Sequence, residues 1–97
     1  MKSHHNPDVD ALFDAILSLK NREECYAFFE DVCTVKEMLD ISQRLKAAKM
    51  LASGAVYADI SAETGMSTAT ISRVSKCLEK GSGGYKTVRA RHSKHSD

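Results

Sequence analysis

Three glycines, Gly54, Gly65 and Gly81, cut the second half of this chain into two short segments. Glycine is the residue that ends helices most cheaply, because a left-handed backbone costs it least. Between Gly65 and Gly81 runs "MSTATISRVSKCLEK", in which Ile71, Val74 and Leu78 fall at i, i+3 and i+7. That spacing makes one apolar stripe on a helix, and Ser67 is a good N-cap for it. The spacing predicts a helix over 68–80. The segment before Gly65 predicts a shorter helix over 57–64, with Ile60 facing the stripe and Ser61 small enough to allow close approach. Met66 is apolar and points back toward the core. A short helix, a glycine turn and a second helix make a helix-turn-helix.

The rest of the chain is punctuated in the same way. Asn6 can cap a helix, Pro7 suits its first position and Asp8 favours its positive end. Leu12, Phe13, Ile16, Leu17 and Leu19 follow as an apolar stripe. Asn21 with Glu24 has capping-box spacing, ahead of Cys25, Tyr26, Phe28, Phe29 and Val32. Thr34 with Glu37 is a capping box for a long third helix, with Met38, Ile41, Leu45, Ala48 and Ala52 on one side, joined by Leu39 and Leu51. Gly54 stops it. No apolar alternation of period two marks a strand. The expected architecture is an all-α helical bundle of five helices, occupying residues 8–81. Residues 1–7 are expected to be a flexible N-terminus. Residues 82–97, "GSGGYKTVRARHSKHSD" from Gly81 onward, turn Gly/Ser-rich and then basic, and a mobile tail is expected there.

At 97 residues the chain is one small domain, a size that buries only roughly 60–70% of its unfolded surface. The first two helices carry much apolar surface for their length, including Phe13, Phe28 and Phe29. A homodimer in which these helices pack on or around a partner copy is the expected remedy.

Several functional classes lack their residues. No apolar run approaches the length of a membrane span, and "MKSHHNPDVD" has no apolar core of a secretion signal, so a cytoplasmic protein is expected. Cys25, Cys33 and Cys77 form no CxxC pair and suit reduced, inert core thiols. His4, His5, His92 and His95 fall in the expected tails and carry neither a metal site nor catalysis. No nucleophile–base–orienter set and no phosphate-cradling glycine loop is present, so an enzyme is not expected, nor a cofactor.

Charge and the hydroxyl-rich helix point elsewhere. Residues 8–40 hold nine acids against three bases, a net of −6, while residues 41–97 hold ten bases against four acids, a net of +6. A basic half attracts a polyanion. In a helix-turn-helix the second helix enters the major groove of DNA and its N-terminal residues meet base edges. Here those are Ser67, Thr68, Ala69, Thr70 and Ser72, with Arg73 and Lys76 further along. Small side chains let the helix sit deep, hydroxyls bond bases or phosphates, and methyls of Ala69 and the threonines touch thymine methyls. Lys86, Arg89, Arg91 and Lys94 in the tail either add non-specific attraction to phosphate or form a solubilising disordered end.

"SQRLKAAKMLASG" followed by "TGMSTATISRVSKCL" resembles the Trp repressor family, and residues 9–85 as a whole are similar to the Trp-repressor-related YerC/YecD proteins. "LFDAILSLKNREECYAFFEDVCTVKEM" carries the second likeness. The resemblance implies an intertwined, all-helical homodimer that binds double-stranded operator DNA as a transcriptional regulator, most often a repressor. It also implies a small-molecule pocket: the repressor holds the indole of its corepressor, tryptophan, between two arginines whose positions are Arg44 and Arg73 here. This chain departs from that pattern nearby. Val74 stands where the repressor has glycine, and would intrude on the indole's space. The fourth helix is one residue shorter, and Ala58 and Ser61 stand near the places of DNA-holding basic residues. The repressor's final helix is replaced by the basic tail. Two functions remain: a sequence-specific regulator reading DNA with the helix at 68–80, or a helical interaction or assembly module that has lost specific reading.

Overall fold

The computed structural model describes residues 5–95, with side chains described through Arg91. The expected flexible N-terminus falls partly outside these residues, at 1–4, and the expected tail at 96–97. The side chains of His92, Lys94 and His95 lie outside them too. Every regular element among the described residues is an α-helix: α1 (Pro7–Leu17), α2 (Arg22–Val32), α3 (Val35–Ala52), α4 (Tyr57–Thr64), α5 (Thr68–Lys80) and α6 (Gly84–His95).

The helix ends sit where their side chains hold them. Asn6 Oδ1 accepts from Val9 N at 2.8 Å, and Pro7 takes the first position of α1, where a missing N–H costs nothing. Asn21 Oδ1 accepts from Glu24 N at 2.8 Å, while Lys20 N donates back to Glu24 Oε1 at 2.9 Å. The box ahead of α3 closes in both directions: Glu37 N donates to Thr34 Oγ1 at 3.1 Å and Thr34 N to Glu37 Oε1 at 2.8 Å. Each such cap satisfies N–H groups that the helix itself leaves unpaired, at a value of about 0.5–2 kcal/mol.

The chain divides into two compact units, one up to Met38 and one from Leu39 onward. The first holds α1, α2 and the start of α3. No residue of α1 or α2 is buried. Phe28 and Phe29 meet edge to face, with ring centroids 5.4 Å apart. Phe13, at 54%, and Leu17, at 81%, are exposed, as are Tyr26 and Val32.

The second unit holds the core. Ala47 and Ala48 of α3, Ile60 of α4, and Ile71 and Val74 of α5 are buried together, with Met50, Leu51, Ala55, Met66, Leu78 and Tyr85 packed against them. Ala47 was not part of the expected α3 stripe, whereas Leu39 and Ile41, which were, are exposed. The two alanines bring no bulk, so the larger Ile60 and Ile71 fill the space over them. Burying an isoleucine fully is worth about 1.5–3 kcal/mol.

Two expectations are corrected. The described residues form six helices, not five, because residues 84–95 form α6. Its start is set by Gly83, whose φ of +86° no other residue adopts cheaply, and by Thr87, whose Oγ1 donates to the Gly83 carbonyl at 3.0 Å. Tyr85, one residue into the helix, packs against the core and supplies the tertiary contact that the sequence pattern conceals. Nor are the cysteines core thiols: Cys25 and Cys33 are half-buried and Cys77 is exposed. Cys77 lies to one side of the Ile71–Val74–Leu78 stripe, which accounts for its exposure.

Truncating the hub of this core tests the packing. Ile60→Ala is expected to lower unfolding free energy by about 2–5 kcal/mol. Denaturant titration of the full chain reads this directly. A loss under about 1 kcal/mol would show that α4 is not held by the packing described.

Candidate nucleic-acid interface

The turn between α4 and α5 is built by side chains as much as by backbone. Gly65 caps α4 with φ +75°, and its N–H donates to the Ser61 carbonyl at 2.8 Å. Ser61 Oγ donates to the Met66 carbonyl at 2.8 Å, and Met66 N donates to Thr64 Oγ1 at 3.1 Å. Thr64 Oγ1 in turn donates to the Ile60 carbonyl at 2.7 Å. Ser61 was expected only to be small; its hydroxyl also ties the two helices at the turn. With Ile60 and Met66 turned to the core, α5 is fixed at its start.

α5 then opens with Ser67. Its Oγ accepts from Thr70 N at 3.2 Å and lies 3.0 Å from Thr70 Oγ1. No acid stands in the first turn of α5, so the positive end of the helix dipole is left uncompensated there. Ile71 and Val74 are buried and Leu78 is half-buried. At roughly 100° per residue, the opposite side of the helix carries Ala69, Ser72, Arg73, Lys76 and Lys80, with Thr68 at its edge. Thr68, Ala69, Arg73, Lys76 and Lys80 are exposed, and Ser72 is half-buried.

Thr70 is placed differently from the other hydroxyl residues. It falls toward the flank of the buried stripe, is half-buried, and pairs with Ser67. Its side chain lines a cavity of about 270 Å³ with Asp40, Gln43 and Arg44 of α3 and Thr64, Gly65 and Met66 of the turn. Gln43 Oε1 is buried there with no hydrogen-bond partner among the described residues. Of the three ligand-pocket candidates, Arg44 lines this cavity. Arg73 is exposed and outside its lining, and Val74 is buried in the core with Ile60 and Ile71. Val74 lies three residues after Ile71, which sets it on the core stripe and accounts for its burial.

The charge on this unit is cationic and mostly exposed. Lys46 Nζ meets Glu63 Oε1 at 3.1 Å, joining α3 to α4 in an exposed pair of small value. Arg73, Lys76 and Lys80 project from α5 against one acid, Glu79. Tyr85 of α6 lies close enough to Cys77 and Arg44 to feel both. Burial and Cys77 push its phenol above the ordinary value of 10.0, while Arg44 pulls the other way. Neither Tyr85, Gln43 nor Thr64 stood out in the sequence. None belongs to an apolar repeat, so no spacing flagged them. No helix among the described residues is long and apolar enough to cross a membrane.

Comparison with known proteins places this geometry in a group. The family model described as Trp repressor protein matches residues 7–93. YerC of Bacillus subtilis, itself uncharacterized, is 54% identical over 78 residues, covering 80% of this chain and 75% of that protein. A crystal structure of a candidate Trp repressor from Staphylococcus aureus superposes with a TM-score of 0.88 at 52% identity, covering 92% of this chain and 89% of that one. A TrpR-like protein from Eubacterium eligens gives the same score and identity, with 91% of each chain covered. The family match includes the core of the second unit and the turn into α5. The chain belongs to the Trp repressor family, a family of regulators rather than enzymes.

Proposed function

We propose that this protein is a sequence-specific DNA-binding regulator of transcription, a repressor by kinship, that reads the major groove of double-stranded DNA with α5. One observation carries the reading. The face of α5 opposite its buried stripe presents Thr68, Ala69, Ser72, Arg73 and Lys76, small and cationic side chains together, at a helix start with no acid. Small residues admit the groove floor, Arg73 and Lys76 reach bases or phosphates, and the helix start favours a phosphate oxygen. Ser67 and Thr70 spend their hydroxyls on capping, so their part is to hold the helix start rather than to read bases.

A homodimer is part of this reading. α1 and α2 bury nothing of their own, and Val35, Leu39 and Ile41 of α3 are exposed as well. That much open apolar surface supports burial against a second copy. Two reading helices related by a two-fold axis then meet half-sites one helical turn apart, roughly 34 Å, or a multiple of it.

The packing of Val74 supports a reading head that works without a corepressor. Its side chain is buried in the core with Ile60 and Ile71, and that packing within the chain itself seats α5. Calorimetry with tryptophan is then expected to give no saturable heat with the wild-type protein. Clear saturable binding would contradict effector-independent reading.

Selection of genomic DNA fragments by the purified protein, near physiological salt, tests the function itself. A two-fold-symmetric motif is expected, with Arg73→Ala weakening binding to it by about 1–3 kcal/mol. A folded protein that enriches no motif would overturn the reading in favour of an interaction module.

A further inference from the structure

We infer that α6 is a second DNA-binding element, a phosphate clamp in which Lys86, Arg89 and Arg91 grip the backbone beside the groove that α5 reads. This inference rests on the DNA-reading function proposed above and adds the element that governs non-specific affinity.

α6 is a poor helix on local grounds. It opens with Gly84, it contains no acid, and Lys86 and Arg89 repel each other at i, i+3. Twelve residues is also a marginal length for a helix standing alone in water. It forms because Tyr85 docks on the cluster of Ala47, Ala48, Ile60, Ile71 and Val74. The ring sits near Cys77 of α5 and Arg44 of α3, with its phenol partly buried. A single aromatic side chain thus fixes a cationic helix to the same core that orients α5.

That arrangement has a consequence for charge. The side chains of Lys86, Arg89 and Arg91 are all exposed, and no acid in α6 neutralises them. A disordered basic tail would offer the same charges at variable positions. Docking by Tyr85 instead ties them to the core that also carries α5, with its Arg73, Lys76 and Lys80. Cations spread around a helix cannot read a base pattern, but they match the repeating charge of a sugar–phosphate backbone. Such contacts add affinity for any duplex and release counterions.

Binding of the full-length protein to two duplexes, one selected and one unrelated, is measured over a range of salt concentrations. The triple variant Lys86→Gln/Arg89→Gln/Arg91→Gln is expected to lose affinity for both duplexes by a similar factor. Its log–log salt slope is expected to fall by about 2–3, since each phosphate that a cation neutralises contributes about 0.9. Its selected motif stays the same. Removing like charges does not threaten the fold, and circular dichroism checks this. Tyr85→Phe keeps the ring and is expected to keep the wild-type slope, whereas Tyr85→Ala releases α6 and lowers it. An unchanged slope in the triple variant, with the motif still bound, would overturn the clamp and leave α5 reading intact. Absence of any salt-dependent binding by the wild type would overturn both.

Discussion

The contact of Ile60 with Ile71 and Val74 over the two alanines of α3 is the interaction on which the second unit depends. It joins α4 and α5 across the Gly65 turn and seats both on α3. Because Ile71 and Val74 occupy the inner face of α5, the side chains between them in sequence have no choice but the outer face. Ser72 and Arg73 lie between the two core residues, and Ala69 and Lys76 lie one helical turn to either side of that pair. The reading surface proposed for α5 is therefore a by-product of core packing. Tyr85 extends the same dependence to α6, since its ring rests on the same cluster.

The turn shows how little sequence is needed to specify such a unit. Gly65 supplies a left-handed residue, and three hydroxyls, those of Ser61, Thr64 and Ser67, bond the backbone within a few residues of it. Each bond is local, so the geometry forms without long-range help. The apolar residues Ile60, Met66 and Ile71 then fix which way the turn faces. Family relationship and local chemistry agree here, as the "TGMSTATISRV" segment that carries the resemblance is also the one whose hydrogen bonds build the turn.

Much of the fold was legible because its signals are local. The caps at Asn6, Asn21, Thr34 and Ser67 and the stops at Gly65 and Gly81 mark helix ends through bonds spanning three or four residues. The α5 stripe was legible because three apolar residues at helical spacing admit one orientation. α6 was not legible. Glycine and like charge argue against a helix there, and the docking that overrides them comes from one tyrosine touching residues far away in sequence. The inward flank of Thr70 and the burial of Ala47 were hidden for a related reason, since a threonine or an alanine suits either side of a helix. Val74 is buried as its place on the stripe predicts. The exposed faces of Phe13, Leu17 and Tyr26 carry apolar residues that one copy of this chain does not cover.

The most direct test is residue-resolved. Backbone amide resonances of the protein are followed by NMR while a duplex carrying its selected site is added. The largest shifts are expected along Thr68, Ala69, Ser72, Arg73 and Lys76, with Ile60 and the centre of α3 little changed, because the core holds α5 as a rigid reading surface. Shifts concentrated in α1 and α2, with the outer face of α5 silent, would contradict it and assign this fold to contacts other than the major groove.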